Sequence, residues 1–410
     1  MADVILQQAK LERLFSLVRG MTDSFYGRRL AGYKLNWHNF TRLPFTTKDD
    51  LLHDRLMHAP FGSNFTGPSA EYTRFCQTSG TSSGQPMAVL DTPESWNRML
   101  DCWRQVFRAA GLKRGEDRVF FAFSFGPFLG FWTAFEAAAG EYLAMPGGGL
   151  SSTARLETMA RYQATVLCCT PTYALRLGES IGAPSGVGLD QLAVKKIIVA
   201  GEAGGSLPTT RQRLRELWGG AQIFDHHGMT EVGPVSYEDP HHEGSLCVIE
   251  DAYLAEVLDG EGREVADGHE GELVLTTLDR VASPLIRYRT GDWVCKQRID
   301  GQLFLEGGIL ARCDDMVVIR GVNIYPSAIE NVVRRMPEVA EFMVEQRRVD
   351  SMEEIEVLIE AHGGQDAAQL ARRLEGRLKD TFALRIPVRV AEAMTLPRYE
   401  FKSQRWRRVG

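Results

Sequence analysis

The run Thr78-Ser79-Gly80-Thr81-Ser82-Ser83-Gly84 places five hydroxyls and two glycines in seven residues and continues into Gln85-Pro86. Glycine lets backbone N–H groups come close to an anion, and serine and threonine hydroxyls add further donors; together these are the makings of a phosphate cradle. It is not a Walker loop, because the Gly-Lys-Ser/Thr ending is absent. A Ser/Gly-rich surface linker has the same composition, so this run alone leaves both readings open.

Four further clusters favour the first reading. Val199-Ala200-Gly201-Glu202-Ala203-Gly204-Gly205 follows a run with the character of a buried strand, where backbone can pack against a planar base. His226-His227-Gly228-Met229-Thr230-Glu231 follows a strand predicted to end at Phe224. Arg287-Tyr288-Arg289-Thr290-Gly291-Asp292 puts an acid on a predicted tight turn, able to accept two hydrogen bonds from ribose hydroxyls. Arg312-Cys313-Asp314-Asp315-Met316 leads through Arg320-Gly321-Val322-Asn323 to Tyr325-Pro326.

These clusters need a frame. Val119 to Phe125, Thr165 to Cys169, Lys196 to Ala200 and Ala221 to Phe224 are short apolar runs. Segments of helical character separate them: Leu129 to Ala139, Thr153 to Gln163, Tyr173 to Ser180 and Pro208 to Trp218. Such alternation predicts parallel βαβ layers, with ligands gathering beyond the carboxyl ends of the strands. After Gly233, Leu254 to Leu258 and Glu272 to Leu278 read as antiparallel strands joined by a Gly/Asp/Glu-rich turn. From Met316 the order is strand, helix (Ser327 to Met336), two strands, helix (Ala367 to Phe382) and strand (Val388 to Ala391). The expected fold is therefore α/β: a large N-terminal domain, 1–312, with a small antiparallel-strand subdomain, and a small mobile α+β C-terminal domain, 313–410.

Composition narrows the function classes. A net charge of −6 argues against a general nucleic-acid binder, which needs a basic face. No segment approaches the roughly 20 apolar residues of a membrane span. Ile5, Leu6, Ala9, Leu14, Phe15 and Val18 recur at helical spacing with charges between them, an amphipathic helix and not a signal peptide. Seven cysteines without zinc-ribbon or redox spacing read as reduced thiols of a cytoplasmic protein.

Taken in this order, the clusters resemble the adenylate-forming superfamily of acyl-CoA synthetases, and most closely its phenylacetate–CoA ligase branch. Branch marks are Ser283-Pro284-Leu285-Ile286-Arg287-Tyr288-Arg289 and Asp314-Asp315-Met316 with Arg320-Gly321-Val322-Asn323-Ile324-Tyr325-Pro326. The likeness runs from about Phe25 to the C-terminus.

The resemblance implies roles. Thr78, Ser79, Gly80, Thr81, Ser82, Ser83 and Gly84 would hold the β- and γ-phosphates of ATP. Thr230 would meet the α-phosphate, and Glu231 would ligate Mg²⁺, a cation that prefers carboxylate oxygen. Asp292 and Arg312 would hold the ribose; Gly201, Glu202, His227 and Gly228 would border the nucleotide. Asp314 matches the hinge, and Arg320, Gly321 and Asn323 would face coenzyme A. Leu396-Pro397-Arg398-Tyr399-Glu400-Phe401-Lys402 resembles the segment bearing the catalytic lysine, so Lys402 would neutralise charge where an anionic carboxylate meets an anionic phosphate. Of the aromatics from Phe120 to Trp132 most read as core, while Phe123, Phe125 and Gly126 are the acyl-pocket candidates.

Three positions depart from the family pattern. His227 replaces a tyrosine, Phe401 replaces a glycine before the lysine, and Asp239 stands where some members carry a cysteine of a zinc cluster. His241, His242 and Cys247 follow, and the segment reads as a solvated loop in preference to a zinc site. The implied activity is activation of a small aryl carboxylic acid by ATP, through an acyl-adenylate, with transfer to coenzyme A. Two other readings stay open: loading of a carrier-protein pantetheine or an amine, and a non-catalytic nucleotide-binding protein. The resemblance also leaves a homodimer open.

Overall fold

Val166-Leu167-Cys168-Cys169 carries no charged group on either face, as a strand covered on both sides requires, and all four residues are buried. A computed structural model describes residues 4–78, 86–202, 204–313, 317–319, 322–349, 352–363, 365–382, 384–399 and 405–409. The chain opens with α1 (Val4–Gly20), α2 (Phe25–Arg29) and α3 (Lys48–Met57), then β1 (Arg74–Gln77) and β2 (Ala88–Asp91). There follow α4 (Pro93–Ala109), β3 (Arg118–Phe121), α5 (Leu129–Ala139), β4 (Leu143–Pro146), α6 (Ser152–Arg161), β5 (Val166–Cys169) and α7 (Pro171–Glu179). Next are β6 (Lys196–Ala200), α8 (Pro208–Leu217), β7 (Gln222–Met229), β8 (Gly233–Glu238) and β9 (Ser245–Val248). Then come β10 (Tyr253–Leu258), β11 (Glu270–Thr277), β12 (Tyr288–Ile299) and β13 (Gln302–Arg312).

Among the described residues, eleven strands form one sheet in the order β10-β11-β12-β13-β9-β8-β7-β6-β5-β3-β4. From β4 to β7 every pairing is parallel; from β7 to β10 every pairing is antiparallel. Period-two alternation sends Val119, Phe121, Val166, Cys168, Ile198 and Phe224 to one face, against α4 and α5. Phe120, Leu167, Ile197 and Ile223 go to the other, with residues of α6, α7 and α8. This mixed α/β sheet is the fold class expected. The helix α1 is also present, burying Leu11, Leu14, Phe15 and Val18 against the antiparallel half, but Ile5, Leu6 and Ala9, expected on the same apolar face, are exposed.

The remaining elements are β14 (Val317–Ile319), β15 (Val322–Ile324), α9 (Pro326–Arg334), β16 (Val339–Val349), β17 (Met352–Ala361), α10 (Ala367–Phe382), β18 (Val388–Val390) and β19 (Trp406–Arg408). They make a β14-β15 pair and a sheet in the order β18-β17-β16-β19, with a separate core around Ile329, Val333, Phe342, Val357 and Leu374. β19 was not anticipated. It lies parallel to β16, with Val344 opposite Trp406.

Two local expectations change. The strand expected to stop at Phe224 continues to Met229, because β8 turns back and pairs with its far end. Asp292 sits within β12 and not on a turn; it is opposite Arg312 in β13.

Candidate active site

The site begins where the sheet changes from parallel to antiparallel. Ala200 opposite His226 is the last β6–β7 pair, after which Gly201 leaves at φ +92° and β7 runs on beside β8 alone. A crevice must open there, the switch-point position for ligands in such sheets. Gly228 lies at a register shift, and a Cβ there would stand 2.8 Å from the Gly233 carbonyl oxygen. Only glycine fits so close a backbone approach.

Val232 N–H donates to the Met229 carbonyl at 3.2 Å, so Thr230 and Glu231 are the central residues of the turn joining β7 to β8. This turn is held from its own backbone. The Arg280 guanidinium donates to the carbonyls of Thr230 at 3.3 Å and Glu231 at 2.5 Å, and forks onto Asp91 at 2.7 and 2.5 Å. Arg280 and Asp91 are both fully buried. Tyr288 donates its hydroxyl to Glu231 Oε1 at 3.1 Å. Burial, and then the Glu231 charge, pushes that phenol well above its usual range, so it stays a donor.

Asp292 is buried beside this turn. Its Oδ2 is 3.0 Å from His227 Nε2 and its Oδ1 accepts from Arg312 at 2.8 Å. Burial alone would raise its carboxyl; the His227 hydrogen bond and the Arg312 charge outweigh that and hold it below the ordinary value. The other ring nitrogen, His227 Nδ1, is buried with no hydrogen-bond partner among the described residues. Such an atom fits a ligand whose polar groups complete it. Behind it, burial and the charge of His227 push His226 down to about 3, so a neutral ring donates from Nδ1 to the Ser236 carbonyl at 2.7 Å.

Thr78 closes the base of the Ser/Gly run, donating its N–H to the Met87 carbonyl and accepting the Met87 N–H on its hydroxyl, both at 2.9 Å. Gln77 N–H reaches the Pro127 carbonyl at 2.7 Å, which brings the Gly126 corner to the same base. A narrow cleft beside it is mostly apolar, with Leu51, Phe61, Phe65 and Leu285 around Arg55 and Glu231.

Phe123 stacks on Phe131 with centroids 4.2 Å apart, within the core on that face. Phe125 is held at φ +51°, edge-on to Trp132 and Phe135, with the Gly148 backbone against it. Gly126 accepts the Trp132 indole N–H at 3.0 Å. Glu202 accepts the Thr172 N–H at 2.8 Å in the first turn of α7, so its carboxylate serves the helix end as well as any nucleotide. Asp239 accepts from the His241 N–H at 2.8 Å, and His242 packs on Phe304; among the described residues no group of three His, Cys, Asp or Glu could hold a metal ion. All seven cysteines are free thiols.

Ser79 to Gly84, Asp314, Arg320, Gly321 and Lys402 lie outside the described residues, and Asn323 is described only as backbone of β15. The chain leading toward Lys402 is anchored: Arg398 pairs with buried Glu360 at 2.5 Å, and the Arg398 carbonyl accepts from Arg176 of α7 at 3.2 Å. Sequence reasoning missed Arg280 and Asp91, which hold the β7–β8 turn. Arg280 did carry a signal, an arginine between the apolar runs Leu273 to Leu278 and Val281 to Ile286.

Residues 70–278 match the model of the AMP-binding enzyme family, and residues 321–407 match that of the AMP-binding enzyme C-terminal domain. Fold and matches together define an AMP-forming ligase, a class that joins carboxylic acids to coenzyme A with ATP. The phenylacetate–coenzyme A ligase of Thermus thermophilus is 31% identical over 375 residues, covering 87% of this chain and 80% of that one. The 2-hydroxyisobutyryl-CoA ligase in its postadenylation state, with 2-HIB-AMP, superposes at a TM-score of 0.90 with 25% identity, covering 100% of this chain and 90% of that one. In its thioesterification state, with 2-HIB-AMP and CoA, the TM-score is 0.72 at the same identity and coverage. The chain belongs to the AMP-binding enzyme family, on its phenylacetate–coenzyme A ligase branch.

Proposed function

We propose that the chain activates an aryl carboxylic acid with ATP and transfers the acyl group to coenzyme A. Residues 1–312 hold nucleotide and acid, and residues 313–410 act as a lid turning about Asp314. The observation carrying this reading is the β7–β8 turn: Thr230 and Glu231 are clamped from below by Arg280, beside the buried Asp292 with its His227 and Arg312 partners.

In this reading the carboxylate oxygen bonds to the α-phosphorus, the α–β bridging bond breaks and pyrophosphate leaves. A thiolate then bonds to the acyl carbon and AMP leaves with the carbon–oxygen electron pair. Thr78 to Gly84 hold the outer phosphates and Thr230 the α-phosphate. Asp292 and Arg312 orient the ribose, while Gly201, Glu202, Gly228 and His227, with its bare Nδ1, line the base. Glu231 suits Mg²⁺, which when bound would offset phosphate charge. Lys402 supplies a positive charge at the attacked phosphorus and then withdraws with the lid, so that Arg320, Gly321 and Asn323 can face the thiol. The better superposition on a postadenylation state supports a lid on the adenylation side of that motion. Phe125, edge-on and backed by Gly148, is the aromatic best suited to an aryl ring; Phe123 backs it from the core.

Pyrophosphate release across phenylacetate, benzoate-type and aminobenzoate-type acids, with hydroxamate trapping, tests the reading. Acid-dependent release and a coenzyme A-dependent aryl thioester are expected. Failure of every aryl acid to release pyrophosphate would end it; turnover only with a carrier protein or an amine would replace the acceptor.

A further inference from the structure

Strand alternation sends the two neighbouring histidines of β7 to opposite faces of the sheet. His227 goes to the Asp292 side. His226 follows Phe224 by two residues and shares its face, with its ring on Trp103 at 4.2 Å between centroids. Trp103 belongs to the same core as Phe123, one of the acyl-pocket candidates, and Phe131 stacked on it.

One nitrogen of the His226 ring is spent. Nδ1–H donates to the Ser236 carbonyl of β8 at 2.7 Å, which fixes the tautomer and leaves a lone pair on Nε2. Among the described residues Nε2 has no hydrogen-bond partner, although only 4% of the residue is exposed. The two nitrogens lie on opposite flanks of an imidazole, and the sheet runs β8-β7-β6, so Nε2 faces the β6 side. There His226 is opposite Ala200, which is partly exposed. A Cβ on the next residue, Gly201, would meet only Thr170 Cγ2, at 3.8 Å. Space therefore remains beside the lone pair.

Burial, and then the charge of His227, push the ring down to about 3, so at neutral pH Nε2 is an acceptor and not a donor. A buried acceptor left bare is costly, and structures complete such groups with a ligand where the chain does not. An aryl ring bearing an O–H or N–H group meets both demands of this place. Its face suits the aromatic wall, and its substituent supplies the missing proton.

We infer that His226 is a specificity-determining residue of the acyl pocket: its Nε2 accepts a hydrogen bond from a hydroxyl or amino group on the ring of the aryl acid. This rests on the proposed reading of the chain as an aryl-acid ligase and narrows its substrates to acids that carry such a donor. Acids with hydrogen or methyl at that ring position would cover Nε2 without pairing it, and so are selected against.

Pyrophosphate release from matched benzoates and phenylacetates, bearing hydrogen, methyl, hydroxyl or amino at each ring position, tests this. In the wild type, kcat/KM for the best donor-bearing acid should exceed that of its hydrogen and methyl counterparts about tenfold or more. The hydroxyl and amino arms tell which donor the pocket takes. His226→Phe keeps a ring on Trp103 and removes the acceptor, so that ratio should fall to about threefold or less while the KM for ATP stays within about twofold. A merely structural role would move all acids alike. If thermal unfolding shows that His226→Phe does not fold, His226→Leu decides by the same ratio. A wild type without donor preference, or a preference that survives in a folded variant, would overturn the inference and leave the ligase reading intact. No release with any of the acids would overturn both.

Discussion

His227 Nε2 lies 3.0 Å from Asp292 Oδ2, and the other oxygen of the same carboxylate is taken by Arg312. Each oxygen keeps a second acceptor site, so the carboxylate can still receive two hydroxyls. Asp292→Asn removes the charge that organises all three groups. The KM for ATP should rise about 10-fold or more, as loss of a hydrogen bond to a charged group at roughly 1.5–3 kcal/mol implies. Steady-state kinetics with varied ATP checks this, and an unchanged KM would remove Asp292 from the nucleotide site.

The same carboxyl gives a pH dependence. Its folded pKa lies below the ordinary value, so its contribution to stability is complete above the unfolded pKa of about 4 and is lost as pH falls through the lower, folded pKa. Urea unfolding of wild type and Asp292→Asn should therefore differ by a constant amount from neutral pH to about pH 5 and converge below about pH 4. A gap that widens on acidification would contradict the assignment.

Arg280 and Asp91 form a buried pair that also carries the backbone of the β7–β8 turn. Arg280→Met strands the Asp91 charge and should cost about 3–5 kcal/mol in chemical denaturation. Arg280→Met combined with Asp91→Leu should recover part of that stability without recovering adenylation, because the Thr230 and Glu231 carbonyls have lost their donor. Recovery of both together would reduce the arginine to a packing role.

The two half-reactions should separate. Lys402→Ala is expected to slow adenylation by about 10²–10³ and to spare thioester formation from supplied acyl-adenylate. Arg176→Ala, which loses the hydrogen bond to the Arg398 carbonyl, should slow adenylation roughly tenfold with the same preference. Asp314→Pro should do the reverse. Equal losses in both half-reactions for each variant would remove the case for an alternating lid.

Gly148→Ala tests the acyl side. The added Cβ would stand 3.0 Å from Phe125 Cδ2 and 3.4 Å from the Phe123 carbonyl oxygen, so the Phe125 ring must shift. The KM for an aryl acid should change about 5-fold or more, within the roughly 1–3 kcal/mol of a one-carbon change, while the KM for ATP stays within twofold. An effect on ATP alone would move the acyl pocket elsewhere.

How legible each part was depended on how local its cause is. β5 and β6 could be read from Val166 to Cys169 and Lys196 to Ala200 because both faces are apolar. The extension of β7 could not, since His226-His227-Gly228 has no apolar alternation and owes its strand geometry to β8. Asp292 was named as a candidate but expected on a turn, because its strand is set by pairing with Arg312 across β13. Arg280 escaped notice because its partner Asp91 is 189 positions away, and β19 because its neighbour β16 lies some 60 positions earlier.

On both sides of residues 400–404 the backbone is moored to one sheet, by Arg398 to Glu360 of β17 and by Arg405 to Glu341 of β16. Both flanks of that segment therefore belong to the β16–β17 sheet. If residues 313–410 act as the proposed lid, a fusion that drags on β19 should slow the ligase from a place remote from every reacting atom.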